Sequence, residues 1–250
     1  MTSLSVKVCL VTGASRGIGA ATARLAAQRG YAVGVNYRAA ADSAQAVVAE
    51  IKRNGGRAVA LRGDVSRADE VEAVFAALEK EFGPVTALVN NAAIASARRP
   101  IWEFGANEIR AVIDTNLIGS FLCAQQAAKR MARTAGGNGG VIVNVSSAAV
   151  RTGGHRLSLY VAAKAGIEGL TVSLARDLAM EGIRVNAVSP GVIATDQQPL
   201  HDESWKSSAA ARIPIGRLGT ADEVAEAIVW LMSDEASYIS GTVLAVAGGS

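Results

Sequence analysis

The chain has 250 residues, half of them hydrophobic and 4% aromatic, with a formal net charge of +3. Its cations are dispersed, Lys129, Arg130 and Arg133 being the densest group, which gives no stripe for nucleic acid. No apolar run reaches the about 18 residues of a membrane span.

The opening MTSLSVKVCLVTG has no basic stretch leading into a long apolar run, so it does not read as a secretion signal. Cys9 and Cys123 sit in apolar segments and read as buried free thiols of a reducing compartment, and a cytoplasmic location is expected. The two histidines are far apart, and no metal site is expected.

Val6 to Thr12 is a β-branched run ending in glycine, the pattern of a buried strand, and Gly17–Gln28 follows as a helix with a small apolar face. The alternation continues with strand 32–36, helix 40–54, strand 57–61, helix 68–82 and strand 87–90. Helix 106–133, strand 141–145, helix 157–179, strand 184–189, helix 221–232 and strand 243–246 complete it. Apolar strands alternating with helices of this length predict one α/β domain over residues 1–250, a Rossmann-type doubly wound parallel sheet of about seven strands with helices on both faces. The GGNGG run at 136–140 reads as a helix-to-strand turn. The long irregular stretch 190–220 is expected to form a lid over a substrate.

Chemistry enters first in the loop after strand one, Gly13-Ala14-Ser15-Arg16-Gly17-Ile18-Gly19. Glycines between a strand and a helix N-terminus let backbone N–H groups and the helix dipole approach a pyrophosphate. The spacing is GxxxGxG rather than GxGxxG, so the loop points to a dinucleotide mainly through its place after the first strand. The second strand ends Asn36-Tyr37-Arg38, with no carboxylate before Asp42 to take a ribose 2′-hydroxyl. Arg16 and Arg38 are either ordinary surface charges or a clamp on a 2′-phosphate; the missing carboxylate favours the clamp, and with it NADP(H) over NAD(H).

A second cluster is Ser147, Tyr160 and Lys164. Tyr160 and Lys164 are four apart, hence on one face of a helix, where an ammonium beside a phenol favours the phenolate and makes a tyrosine usable as acid or base. A Tyr-x-x-x-Lys pair alone is weak, since such contacts are common on helix surfaces.

Taken in order, TGASRGIG at 12–19, Asp64-Val65, NNAA at 90–93, Asn116, Ser147, YVAAK at 160–164 and Pro190-Gly191 followed by Thr195 resemble the short-chain dehydrogenase/reductase family across essentially the whole chain. The resemblance implies a hydride transfer between a nicotinamide and a carbonyl or secondary alcohol, with Tyr160 as acid/base and Lys164 lowering its pKa. It further implies that Ser147 holds the substrate oxygen and that Asn116 holds a relay water. Sequence position alone would make Asn116 an exposed helix residue. The resemblance also implies that Asp64 and Val65 meet the adenine, and that Asn90 and Ala92 lie beside the cofactor. Thr195, after Pro190 and Gly191, would touch the nicotinamide amide, and a homotetramer is implied. His155 either reaches the substrate mouth or is a loop histidine. Trp102 and Trp230 are expected to be packing residues, and Trp205 is left open between packing and substrate.

Two residues depart from the family pattern: Ala93, where relatives have glycine, and Ala247, where they often have aspartate. A dinucleotide-sensing regulator on the same fold is the competing reading, but such a protein would be expected to lose Tyr160 or Lys164. An epimerase or dehydratase would need a larger carboxy-terminal domain.

Overall fold

The computed structural model describes residues 7–195 and 202–250. Val6, expected to open the first strand, and residues 196–201 of the expected lid lie outside the described residues.

Seven strands form one wholly parallel sheet in the order β3-β2-β1-β4-β5-β6-β7. They are β1 Val8–Val11, β2 Ala32–Tyr37, β3 Arg57–Arg62, β4 Ala87–Asn90, β5 Gly140–Val145, β6 Ile183–Pro190 and β7 Val243–Val246. The helices are α1 Gly17–Gln28, α2 Ala41–Arg53, α3 Ala68–Phe82, α4 Ala106–Ile113, α5 Gly119–Met131, α6 Ala149–Thr152, α7 Ser158–Asp177, α8 Glu203–Ala210 and α9 Ala221–Met232.

Alternation along the strands divides the core into two layers. Cys9 and Val11 of β1 pack with α1, α2 and α9, whereas Val8 and Leu10 pack with α3, α5 and α7. Leu10, Leu78, Leu88 and Phe75 are almost wholly buried, each contributing about 1.5–3 kcal/mol relative to an exposed side chain.

Strand order reverses between β1 and β4, so the connections leaving their carboxyl ends diverge to opposite faces and open a crevice there. That crevice is where Gly13–Gly19 and the 90–93 turn meet.

Three local expectations are corrected. The single helix expected over 106–133 is α4 and α5 joined by a π turn at Asp114–Ile118; apolar periodicity runs through the joint, so the sequence hides it. Trp102 is 81% exposed and Trp230 is 43% exposed, so neither is a packed core residue. The 190–220 stretch contains α8, whose first turn is capped by the Asp202 carboxylate accepting from the Trp205 N–H at 3.0 Å. That stretch is pinned where it leaves and rejoins the fold, by Ala194 N–H to Gly219 O at 2.8 Å and Gly219 N–H to Val192 O at 3.0 Å.

Candidate active site

The glycine loop is tied into four strand ends. Thr12, the last residue before it, donates its hydroxyl to Val89 O and accepts from the N–H groups of Asn91 and Ala92, both at 3.0 Å. The Asn91 amide donates to the carbonyls of Thr12 and Gly13 at 2.9 and 3.0 Å. From the other side, the Asn36 carbonyl oxygen of the side chain accepts from Gly13 N–H at 3.2 Å, and its NH2 donates to Leu61 O and Gly63 O. Asn36, 2% exposed, therefore shapes the loop from beneath, with its amide turned into the protein.

Gly13 has φ +60°, and a Cβ there would lie 2.8 Å from Ala92 Cα, so both the conformation and the close approach require glycine. Ala93, by contrast, is not in the left-handed region, so its methyl group comes without backbone strain.

The loop fits a pyrophosphate. Arg16 is the N-cap of α1 in extended conformation, with no side-chain cap and no acid in the helix's first turn, which leaves the first-turn N–H groups to an anion. Ser15 and Ile18 are half-buried along this turn and Gly19 is buried. Gly17 faces Thr195, whose methyl carbon would lie 3.5 Å from a Cβ built at that glycine, so Thr195 stands across the loop.

At the far end of the crevice, Tyr37 is half-buried and Arg38 is exposed, pairing with Asp64 at 3.6 Å. Burial works to raise the Asp64 carboxyl. The Ser66 N–H and hydroxyl, at 3.0 and 2.7 Å, outweigh it together with Arg38 and hold the carboxyl below its ordinary value. Val65 beside it is buried.

Asn90 lies behind the crevice. Its amide donates to Ser120 O and to the Asn144 side chain at 2.9 Å, and Asn144 donates in turn to the Thr171 hydroxyl at 2.8 Å, a buried polar chain stitching β4, β5 and α7. Asn116 is fully buried in the π turn, not on an exposed helix face. Its side-chain oxygen accepts from Ile94 N–H at 2.8 Å and its NH2 donates to Ile94 O at 3.0 Å, clamping the loop after β4.

Helix α7 brings Tyr160 and Lys164 to one face, against the end of β5 and Ser147. Lys164 is 3% exposed; its amine donates to Val145 O at 2.7 Å and lies 5.8 Å from the Tyr160 ring centroid. Burial lowers its ammonium to about 8. The expected acidification of Tyr160 by Lys164 is not the net result. Burial raises the phenol above its ordinary value, and the neighbouring Ser147 hydroxyl pulls it the other way. The Ser147 oxygen accepts from Ala149 N–H at 3.2 Å, which leaves its own proton to give.

Pro190 O accepts from Ala148 N–H at 2.8 Å, and Gly191 N–H donates to Val246 O at 3.0 Å, so the strand end leading to Thr195 is fixed to the serine segment. Gly191 abuts Ala247, where a Cβ would come within 2.9 Å of its Cα. His155 is exposed; its carbonyl accepts from Arg98 at 3.3 Å. Asn144 was not singled out from the sequence, and Thr12 and Asn91 entered only as members of the 12–19 and 90–93 motifs. Thr12 carried one signal, a hydroxyl directly between strand and glycine.

The chain is similar to known oxidoreductases over nearly its whole length. The family described as enoyl-(acyl carrier protein) reductase matches residues 13–250. The oxidoreductase YgfF of Escherichia coli K12 is 46% identical over 245 residues, 97% of this chain and 99% of that protein. The 3-oxoacyl-[acyl-carrier-protein] reductase FabG of Staphylococcus aureus is 42% identical over 243 residues, 97% of each. Among solved structures, a dehydrogenase/reductase from Sinorhizobium meliloti 1021 superposes with a TM-score of 0.91 at 36% identity, covering 99% of this chain and 96% of that one. A short chain dehydrogenase from Burkholderia cenocepacia J2315 in complex with NADP does so at 0.90 and 36%, covering 97% of each.

Proposed function

The chain belongs to the short-chain dehydrogenase/reductase family, a dinucleotide-dependent oxidoreductase acting on C=O or CH–OH groups, and from that premise we propose that it uses NADP(H), with Tyr160 as the acid/base. The observation that carries this reading is the convergence of Ser147, Tyr160 and Lys164 at the carboxyl end of β5, next to a glycine loop whose helix N-terminus is uncapped.

The pyrophosphate would lie on Gly13–Gly19, the nicotinamide end near Thr195, and the adenosine end by Val65, Asp64 and Arg38. A nicotinamide held there would supply or accept the hydride. As charge grows on a substrate carbonyl oxygen, the Ser147 hydroxyl donates to it and Tyr160 gives up its proton. In alcohol oxidation the Tyr160 oxygen takes that proton instead. A pre-placed donor such as Ser147 contributes about 3 kcal/mol to lowering the barrier. Val145 O accepts a hydrogen bond from the Lys164 ammonium, leaving its other two N–H donors for the cofactor ribose and the phenol side.

For cofactor choice, Arg38 held by Asp64, with Arg16 on the loop, supports recognition of a 2′-phosphate. Assembly as a homotetramer is supported by apolar side chains left on the outer faces of α4, α5 and α7, among them Ile109, Phe121 and Val172. Buried free Cys9 and Cys123 support a reducing, cytoplasmic setting. Among the described residues no helix is long and apolar enough to cross a membrane.

The test is a panel of ketones, sugars and 3-oxoacyl thioesters followed by NADPH and NADH absorbance. Turnover of at least one carbonyl with NADPH ahead of NADH is expected. No turnover with any substrate and either cofactor, while NADPH still binds, would favour a sensing protein.

A further inference from the structure

We propose that Glu168 and Ser146, neither of which touches the reacting groups, are a positioning pair that sets Ser147 and Lys164 against one another; this rests on the oxidoreductase reading above. Three consecutive residues end β5 and begin the loop after it, and each has a separate task. Val145 offers its carbonyl to the Lys164 amine at 2.7 Å. Ser146, 3% exposed, donates its hydroxyl to the Glu168 carboxylate at 2.7 Å and lies 3.4 Å from the Lys164 backbone carbonyl. Ser147 faces Tyr160.

Glu168 follows Lys164 by four residues, one turn along α7, so both side chains reach the same strand end from one helix face. Two tethers a turn apart resist both rotation of the helix about its axis and sliding along it. The Val145 carbonyl shares a planar peptide unit with the Ser146 N–H, and Ser147 Cα lies one peptide unit beyond Ser146, so holding Ser146 restricts both neighbours. The Ser146 N–H is fixed separately to Val188 O at 2.8 Å, so its hydroxyl is free to be spent on α7.

The chemistry of the pair fits positioning rather than packing. A carboxylate half-buried on the inner face of a helix loses hydration that an apolar side chain would not need. Its near partner among the described residues is this hydroxyl, not a cation, at the length of a charge-assisted O–H···O bond. Since an amide oxygen accepts as a carboxylate does, the tether requires an acceptor at this place and not a negative charge.

The experiment compares Glu168→Ala, Glu168→Gln, Ser146→Ala and the double alanine variant in the full chain. It measures kcat and KM for NADPH on the best carbonyl, and amide hydrogen exchange across residues 145–149. Glu168→Ala and Ser146→Ala are each expected to lower kcat about 10-fold, as a small misplacement of reacting groups does, with KM for NADPH changing by less than kcat. Glu168→Gln should keep most of kcat, and the double variant should be no worse than the poorer single one. Exchange at 145–149 should quicken in the alanine variants and not in Glu168→Gln. Parental kcat and exchange in Glu168→Ala, or a Glu168→Gln variant as impaired as Glu168→Ala, overturns the proposal. Should the parent turn over no carbonyl, the oxidoreductase reading fails and the exchange pattern alone decides the tether. Should Glu168→Ala not fold, Ser146→Ala, which loses a single oxygen, carries the comparison.

Discussion

Burial acts on Tyr160 and Lys164 in opposite directions on the pH scale and to the same chemical end, driving each toward its neutral form. A neutral phenol is the proton donor that carbonyl reduction needs. Reduction should therefore hold its rate through neutral pH, whereas alcohol oxidation, which needs the phenolate, should climb as pH rises into the alkaline range. Initial rates in both directions from pH 6 to 10 check this, and an oxidation rate that falls with rising pH contradicts it. The lysine also marks stability. Its ammonium titrates at about 8 in the folded chain against an ordinary 10.5, so between those values the unfolded chain holds a proton the folded one has shed. Stability should rise with pH across that window, and the buried ammonium costs stability below it. Lys164→Met should be inactive yet at pH 7 resist urea better than the parent, on the order of 2 kcal/mol, with the pH dependence flattened. The placement most legible in sequence was the one fixed by spacing along one helix, Tyr160 and Lys164 on one face of α7. Asn36 and Asn116 were less so, because an amide's partners are backbone groups far along the chain, and nothing in a sequence says whether it turns inward.

At the scale of elements, the joint at Asn116 joins fold to site. The π turn interrupts α4 and α5 where the Asn116 amide closes on Ile94, holding the loop that follows β4. Asn116→Ala removes both bonds and leaves the Ile94 N–H and carbonyl short of a partner, so a loss of about 2–3 kcal/mol in urea unfolding is expected, with activity falling as the loop loosens. Strands and most helices were readable because apolar alternation and glycine punctuation are local. The π turn was not, since one extra residue per turn barely disturbs the apolar pattern. At the other end of the crevice, the ion pair between the residues following β2 and β3 makes Arg38 the test of cofactor choice. Arg38→Ala should weaken NADPH binding by about 10-fold or more and leave NADH binding little changed, read by cofactor fluorescence. Equal weakening of both would assign Arg38 to general charge instead.

For the whole molecule, doubly wound order follows from apolar strands separated by helices, and the crevice follows from the reversal between β1 and β4. Outward-facing residues were the harder part of the sequence. Trp102 reads as a packing residue by type alone, yet it projects from the surface, and Phe121 is half exposed on α5. In the proposed tetramer such side chains would be covered by another subunit. Light scattering should give about four times the 25.6 kDa chain mass, and Phe121→Lys should lower it toward one or two chains. A parent mass of a single chain would contradict the tetramer without touching the chemistry.

The most direct measurement of the proton-transfer role replaces Tyr160 by phenylalanine and follows NADPH affinity and carbonyl turnover in the same preparation. Affinity close to that of the parent with turnover reduced at least about 10³-fold is expected, the size of effect known for a placed acid/base. Turnover that survives loss of the Tyr160 oxygen would contradict it.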